Sequence, residues 1–175
     1  MSAAIDLLLD AAQRPVGAAD QVLDGLDHEA AHTQPGGVQN SIVWLIWHAA
    51  RQQDAQVTQL ADGEQVWVSG DWASRLGVQR GERDFGFGDT AEQVAELRVG
   101  DLSDLRAYLA AVVERTGDYV RGLRDEDLTE VIDGTWDPPV TRGVRLISVV
   151  DDATQHLGQA AYARSLVQSG WSIGY

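Results

Sequence analysis

The chain has no cysteine and no lysine: its 13 positive side chains are all arginine, in 175 residues. Without cysteine there is no disulfide, no thiolate ligand and no cysteine nucleophile, so any thiol chemistry must use a thiol brought in from outside. Without lysine there is neither a Schiff-base nor a P-loop lysine. Positive charge is scarce altogether, 13 Arg against 27 Asp and Glu, and the formal net charge of −14 repels phosphate backbones and anionic membrane surfaces. The charge argues against nucleic acid and membrane as partners. Long apolar runs are missing as well, and no window approaches the ~18 uninterrupted residues of a membrane span. The opening "MSAAIDLLLDAAQRPVGAAD" has no basic segment and carries Asp6 and Asp10 inside its apolar stretch, so it does not read as a signal peptide. The expectation is a cytoplasmic protein folded as a single domain over residues 1–175, since 44% hydrophobic residues at this length suffice for a substantial core.

Helical periodicity fills most of the sequence, and strand alternation hardly occurs. Ile5, Leu8, Leu9, Ala12, Val16, Ala19, Val22, Leu23 and Leu26 follow the i, i+3, i+4 spacing of an amphipathic helix that contains Pro15. After Pro35-Gly36-Gly37, Asn40 is a candidate N-cap for "SIVWLIWHAARQQDAQVTQLADG", whose first half is apolar almost all round and so belongs in an interior. The stretch "EQVWVSGDWASRLGVQRGERDFGFGD" reads as a long loop with one helical turn from Trp72 to Leu76, followed by a short helix capped by Asp89. Ser103 opens a third long helix with Leu105, Leu109, Val112, Val113, Thr116 and Val120 inside. Residues 133–139 form a rigid connection, and "RGVRLISVVDDATQHLGQAAYARSLVQ" is a fourth long helix reaching about Gln168. The predicted fold is all-α: a four-helix bundle with long connecting loops.

His28-Glu29-Ala30-Ala31-His32 spells the H-E-x-x-H pattern of zinc proteases. That chemistry needs a sustained helix, and Pro35-Gly36-Gly37 ends any helix here almost at once. The pair therefore reads as two solvated histidines on a short connecting helix.

The other two histidines are better placed. His48 lies in the middle of the second long helix and His156 in the middle of the fourth. One turn before His156 is Asp152, on the same helical face, whereas Asp151 points elsewhere. Two imidazoles and a carboxylate converging inside a bundle form a three-ligand metal site with an open position, the arrangement expected of catalysis. A pair of buried histidines hydrogen-bonded to their neighbours, with Asp152 compensating one, is the alternative that spacing leaves open.

"SIVWLIWHAARQQD" together with "DDATQHLGQAAYARSL" resembles the DinB-like superfamily of helical bundles, which includes the mycothiol-dependent maleylpyruvate isomerases and related bacterial thiol S-transferases. The likeness covers most of the chain. Its members typically bind a divalent metal through one His on the second helix and an H-x-x-x-H or E-x-x-x-H pair on the last, often followed by Gly-Gln. His48 matches the lone His, His156-Leu157-Gly158-Gln159 matches the ending, and Asp152 stands in the first slot of the pair, where Asp is not the usual residue. The resemblance implies zinc or nickel at His48, Asp152 and His156, and a low-molecular-weight thiol such as mycothiol as cosubstrate for a small electrophile. A non-catalytic metal-binding bundle, acting in stress response or partner binding as a homodimer, is the alternative function. Arg51 and Arg164 are candidates for meeting an acidic group of cofactor or substrate, or else surface salt-bridge partners. Gln52 shares a face with His48 and is a candidate to orient a ligand, as is Gln159 from its place in the motif. Trp44 and Trp47 are expected to pack in the core, with Trp44 the better candidate of the two to wall the pocket; Trp67 and Trp72 are expected to anchor the Gly-rich loop, with a lid over the site as the alternative.

Overall fold

Among residues 2–174, which the computed structural model describes, helices dominate. They run in order α1 (Ala3–Leu23), α2 (His28–His32), α3 (Ile42–Ala61), α4 (Val66–Ser69), α5 (Trp72–Leu76), α6 (Ala91–Glu96), α7 (Leu102–Arg121) and α8 (Arg142–Val167). A small antiparallel hairpin, β1 (Val131–Asp133) and β2 (Val140–Thr141), precedes α8. It is the one departure from the predicted all-α class; the rigid connection expected there is the hairpin's turn.

Each long helix starts where a short polar side chain accepts a backbone N–H that the first turn would otherwise leave unpaired. Ser2 caps α1, Ser41 caps α3, Asp101 caps α7 and Thr141 caps α8. The caps expected at Asn40 and Ser103 are thus shifted by one and two residues. Thr90 rather than Asp89 caps α6, in a reciprocal capping box with Gln93. Asp89 is engaged elsewhere, as described below. α1 continues through Pro15, which is itself buried.

α3 packs against both α7 and α8, and α1 packs against the same two helices from the other side. The predicted inner face of α7, from Leu105 to Val120, is buried. Every residue of α3 from Ile42 to Asp54 is buried, so the nearly all-round apolar start of this helix is its interior segment. Trp67 and Trp72 are buried against Tyr108 of α7 and anchor α4 and α5. No helix among the described residues is long and apolar enough to cross a membrane.

The H-E-x-x-H residues do form a helix, of five residues, but they hold backbone. His32 is buried, not solvated as expected. Its Nδ1–H donates to the His28 carbonyl at 2.7 Å, and its Nε2 accepts the Val99 N–H at 3.1 Å. His28 Nε2–H donates to the Val99 carbonyl at 3.0 Å, so both polar backbone groups of Val99 are taken by the two imidazoles. Glu29 pairs with Arg98 at 2.8 and 2.9 Å beside them. With both Nε2 atoms bonded to Val99, this pair joins α2 to the segment before α7 and does not present two Nε2 lone pairs to a metal. Burial holds the His32 pKa below its ordinary 6.5, against the opposing hydrogen bond to His28. His32→Ala leaves the Val99 N–H without a partner and should cost about 1–3 kcal/mol in a urea melt. Because the folded chain binds the His32 proton less readily than the unfolded chain, the contribution is present above pH 6.5 and is lost as pH falls below it. The stability difference between wild type and the variant should shrink over that acidic window; a difference independent of pH would contradict the neutral, accepting imidazole.

Candidate metal centre

α3 and α8 lie side by side at the depth of their midpoints, and this brings His48, Asp152 and His156 together. One potential ligand atom from each lies within 4.8 Å of the others. The two imidazole centroids are 4.6 Å apart and nearly perpendicular. His156 Nε2 lies 3.7 Å from Asp152 Oδ1, too long for a hydrogen bond. Asp151 is exposed and accepts from Gln155 at 2.6 Å, outside the cluster.

The outer nitrogens of both rings are already committed. His48 Nδ1 contacts the Phe85 carbonyl; a carbonyl only accepts, so the proton is on Nδ1 and the lone pair on Nε2. His156 Nδ1 is 3.2 Å from Gln159 Oε1, which fixes the same tautomer there. Burial pushes the His48 pKa below its usual value, despite the opposing contribution of the Phe85 carbonyl, so the ring is neutral at neutral pH. Asp152 Oδ2 is buried with no hydrogen-bond partner. An unpaired carboxylate oxygen inside a protein is costly, and a cation is the partner that best removes the cost. Two imidazoles whose Nδ1 atoms are hydrogen-bonded and a carboxylate with one unpaired oxygen fit a divalent metal, whose bonds to N and O are about 2.0–2.2 Å, after a small side-chain adjustment.

The segment from Arg80 to Gln93 holds His48 in place. The Arg80 guanidinium bonds Asp84 at 3.0 Å, both Asp89 oxygens at 3.1 and 2.9 Å, and the Gln93 carbonyl at 2.9 Å. Asp89 in turn accepts the Trp44 indole N–H at 2.8 Å. Trp44 lies parallel to the His48 ring, 4.7 Å between centroids, and meets His156 edge-on at 6.3 Å. Both tryptophans are buried in the core as expected; Trp44 is the one beside the two imidazoles, while Trp47 is fully buried beneath the same loop. Gly86 lets the loop come this close: its φ is +82°, and a Cβ there would lie 2.9 Å from Trp47 and 3.0 Å from Trp44.

Arg51 and Arg164, considered as ligand-binding cations, are spent on the fold. Arg51 is fully buried and donates to the carbonyls of Glu82 and Asp84, to Gln65 and to Tyr108, with Asp54 at 3.5 Å. Arg164 donates to the carbonyls of Gln21 and Val22 at the end of α1 and stacks on Trp171. Neither is a surface salt-bridge partner. Gln52 is buried one turn from His48; its amide N–H donates to the Val149 carbonyl at 3.3 Å and ties α3 to α8 beside the cluster. Phe85 and Arg80 did not stand out in the sequence, and Asp89 stood out only as a helix cap. The Gly-rich loop was the available signal, but which carbonyl would face His48 is a matter of tertiary packing.

A profile of the DinB superfamily matches residues 14–160. The chain is also similar to a conserved protein of Enterococcus faecalis known from its crystal structure, at 35% identity over 95% of this chain and 98% of that one, with a TM-score of 0.88. A comparison with curated proteins returns no match.

Gly86→Ala should push the loop off the two tryptophans and strain a left-handed backbone position, lowering stability by about 1–3 kcal/mol. Near-UV circular dichroism should lose tryptophan signal at the same time. An unchanged melt and spectrum would show that the loop does not clamp Trp44 and His48.

Proposed function

Since the chain belongs to the DinB superfamily, we propose that its four long helices form the four-helix bundle of that family and that His48, Asp152 and His156 bind a divalent metal, zinc or nickel. The observation that carries this reading is the convergence of the Asp152 carboxylate, one of whose oxygens is buried without a partner, on two imidazoles whose other nitrogens are already hydrogen-bonded. Three protein ligands leave a coordination position open, the pattern of catalytic rather than structural sites. An ion held this way supplies a Lewis-acid position that lowers the pKa of a thiol or a water.

The chain's own residues do the rest. The Phe85 carbonyl and Gln159 orient the two rings, Trp44 covers one face of His48, and Gln52 braces the helices beside them. The absence of cysteine from the sequence is consistent with a thiol supplied by a small molecule. The reading favoured is a metal-dependent transferase or isomerase that uses a low-molecular-weight thiol, mycothiol-like, on a small electrophile.

Metal analysis of untagged protein tests the ligand set. His48→Ala and His156→Ala should each abolish binding, Asp152→Asn should weaken it strongly, and Asp152→Glu should retain it. Replacing His28 and His32 together should leave the stoichiometry unchanged; loss of metal there, with retention in the single variants, would place the ion elsewhere. Zinc-loaded protein given a small thiol and chlorodinitrobenzene or a bimane should then turn over faster than buffer. Metal uptake without turnover would leave a non-catalytic binding protein.

A further inference from the structure

Beside the metal candidates lies a cavity to which both α3 and α8 contribute. On α8, Asp152, His156, Gln159, Ala163 and Leu166 follow at steps of four, three, four and three, which puts them on one face. On α3, Leu45 precedes His48 by one turn. Leu45, Gln159, Ala163 and Leu166 line a cavity of ≈ 250 Å³, closed on its far side by Pro35, Gln39 and Asn40. Gln159 belongs to both places: it walls this cavity and holds the His156 ring. The side chains of Tyr162 and Leu166 stand 68% and 57% exposed at its edge, unlike the packed core beside them.

The chemistry of the lining identifies the occupant. The polar side-chain groups are three amides, Gln39, Asn40 and Gln159, and the Tyr162 phenol, and no Asp, Glu, Arg or His lines the cavity. An ion placed there would lose water without gaining a counter-charge, whereas a neutral molecule with one hydrogen-bonding group would be satisfied. The two arginines that might have received an acid are both buried in bonds to the fold. The volume is below the ~300 Å³ lower end for drug-sized ligands, so the molecule is small.

We propose that this cavity is the subsite for the non-reacting part of an uncharged, mainly apolar small molecule, which reaches the metal candidates past Gln159. Its use in a reaction rests on the metal reading above; its occupancy does not.

The test is amide chemical-shift mapping of untagged protein, metal-free and zinc-loaded, with benzamide as the neutral probe and benzoate and benzylammonium as charged ones. Benzamide should shift Leu45, Gln159 and Ala163 in both forms and bind at least about tenfold tighter than either ion. Ala163→Met fills the cavity and Leu166→Gln removes an apolar wall from an exposed position that the fold does not need. Both should weaken benzamide binding with the circular dichroism spectrum unchanged. Equal affinity for the ions, shifts confined to other parts of the molecule, or wild-type binding by both variants would overturn the proposal. Benzamide binding by protein that takes up no zinc would uphold the subsite while removing the metal reading, and zinc uptake without benzamide binding would do the reverse.

Discussion

A buried guanidinium organises the half of the molecule that carries the candidate centre. Arg51 has no exposed surface, and its donors reach the carbonyls of Glu82 and Asp84, the Gln65 amide and the Tyr108 hydroxyl. Asp54 stands beside it and accepts the backbone N–H groups of Val66 and Trp67 at 2.9 and 2.8 Å, which starts α4, and the Tyr108 O–H at 3.0 Å. Burial and the Asp54 charge keep the Tyr108 pKa well above its usual value, so the phenol stays a donor. A charge pair this deep contributes little net stability over an apolar replacement, but removing one partner strands the other at a cost of about 3–5 kcal/mol. Its structural effect is to bind α3, α4, α7 and the segment 82–84 into one unit. Phe85 follows directly on that segment, and its carbonyl holds His48.

The two ligand helices are therefore positioned by different means. On the α3 side the ring is fixed by a loop that Arg51 and Arg80 pin from two directions. On the α8 side the ring is fixed within its own helix, by Gln159 three residues on. Gln52 links the two helices through the Val149 carbonyl. What remains unpaired between them is an Asp152 oxygen and two imidazole lone pairs, a set that is unfavourable empty and favourable around a cation. A rigid surround of this kind is what a metal site with an open position requires, because the ligands must hold their geometry while the fourth position changes occupant.

The helices and the three converging residues were legible in the sequence because both depend on spacing. The inner face of α7 and the shared face of Asp152 and His156 follow from the 3.6-residue repeat alone. The family likeness paired the lone histidine on α3 with the motif on α8. What spacing does not carry is the partner of each side chain. Arg51 lies one turn after His48 and looks available for a ligand, yet its donors are taken by a loop more than thirty residues away. Asp89 has the sequence context of a helix cap, but the indole of Trp44 and the guanidinium of Arg80 claim it, and Thr90 takes the cap. The H-E-x-x-H string is the same lesson in reverse: its geometry is helical, but both of its Nε2 atoms are bonded to Val99.

His48, Asp152 and His156 are proposed to hold one metal ion through the two Nε2 atoms and the Asp152 carboxylate. Anomalous diffraction from crystals of the untagged protein, collected on both sides of the zinc and nickel absorption edges, measures this directly. A single peak between α3 and α8, within bonding distance of all three side chains, is the expected result. A peak beside His28 and His32, or a metal-loaded crystal with none between the two helices, would contradict it.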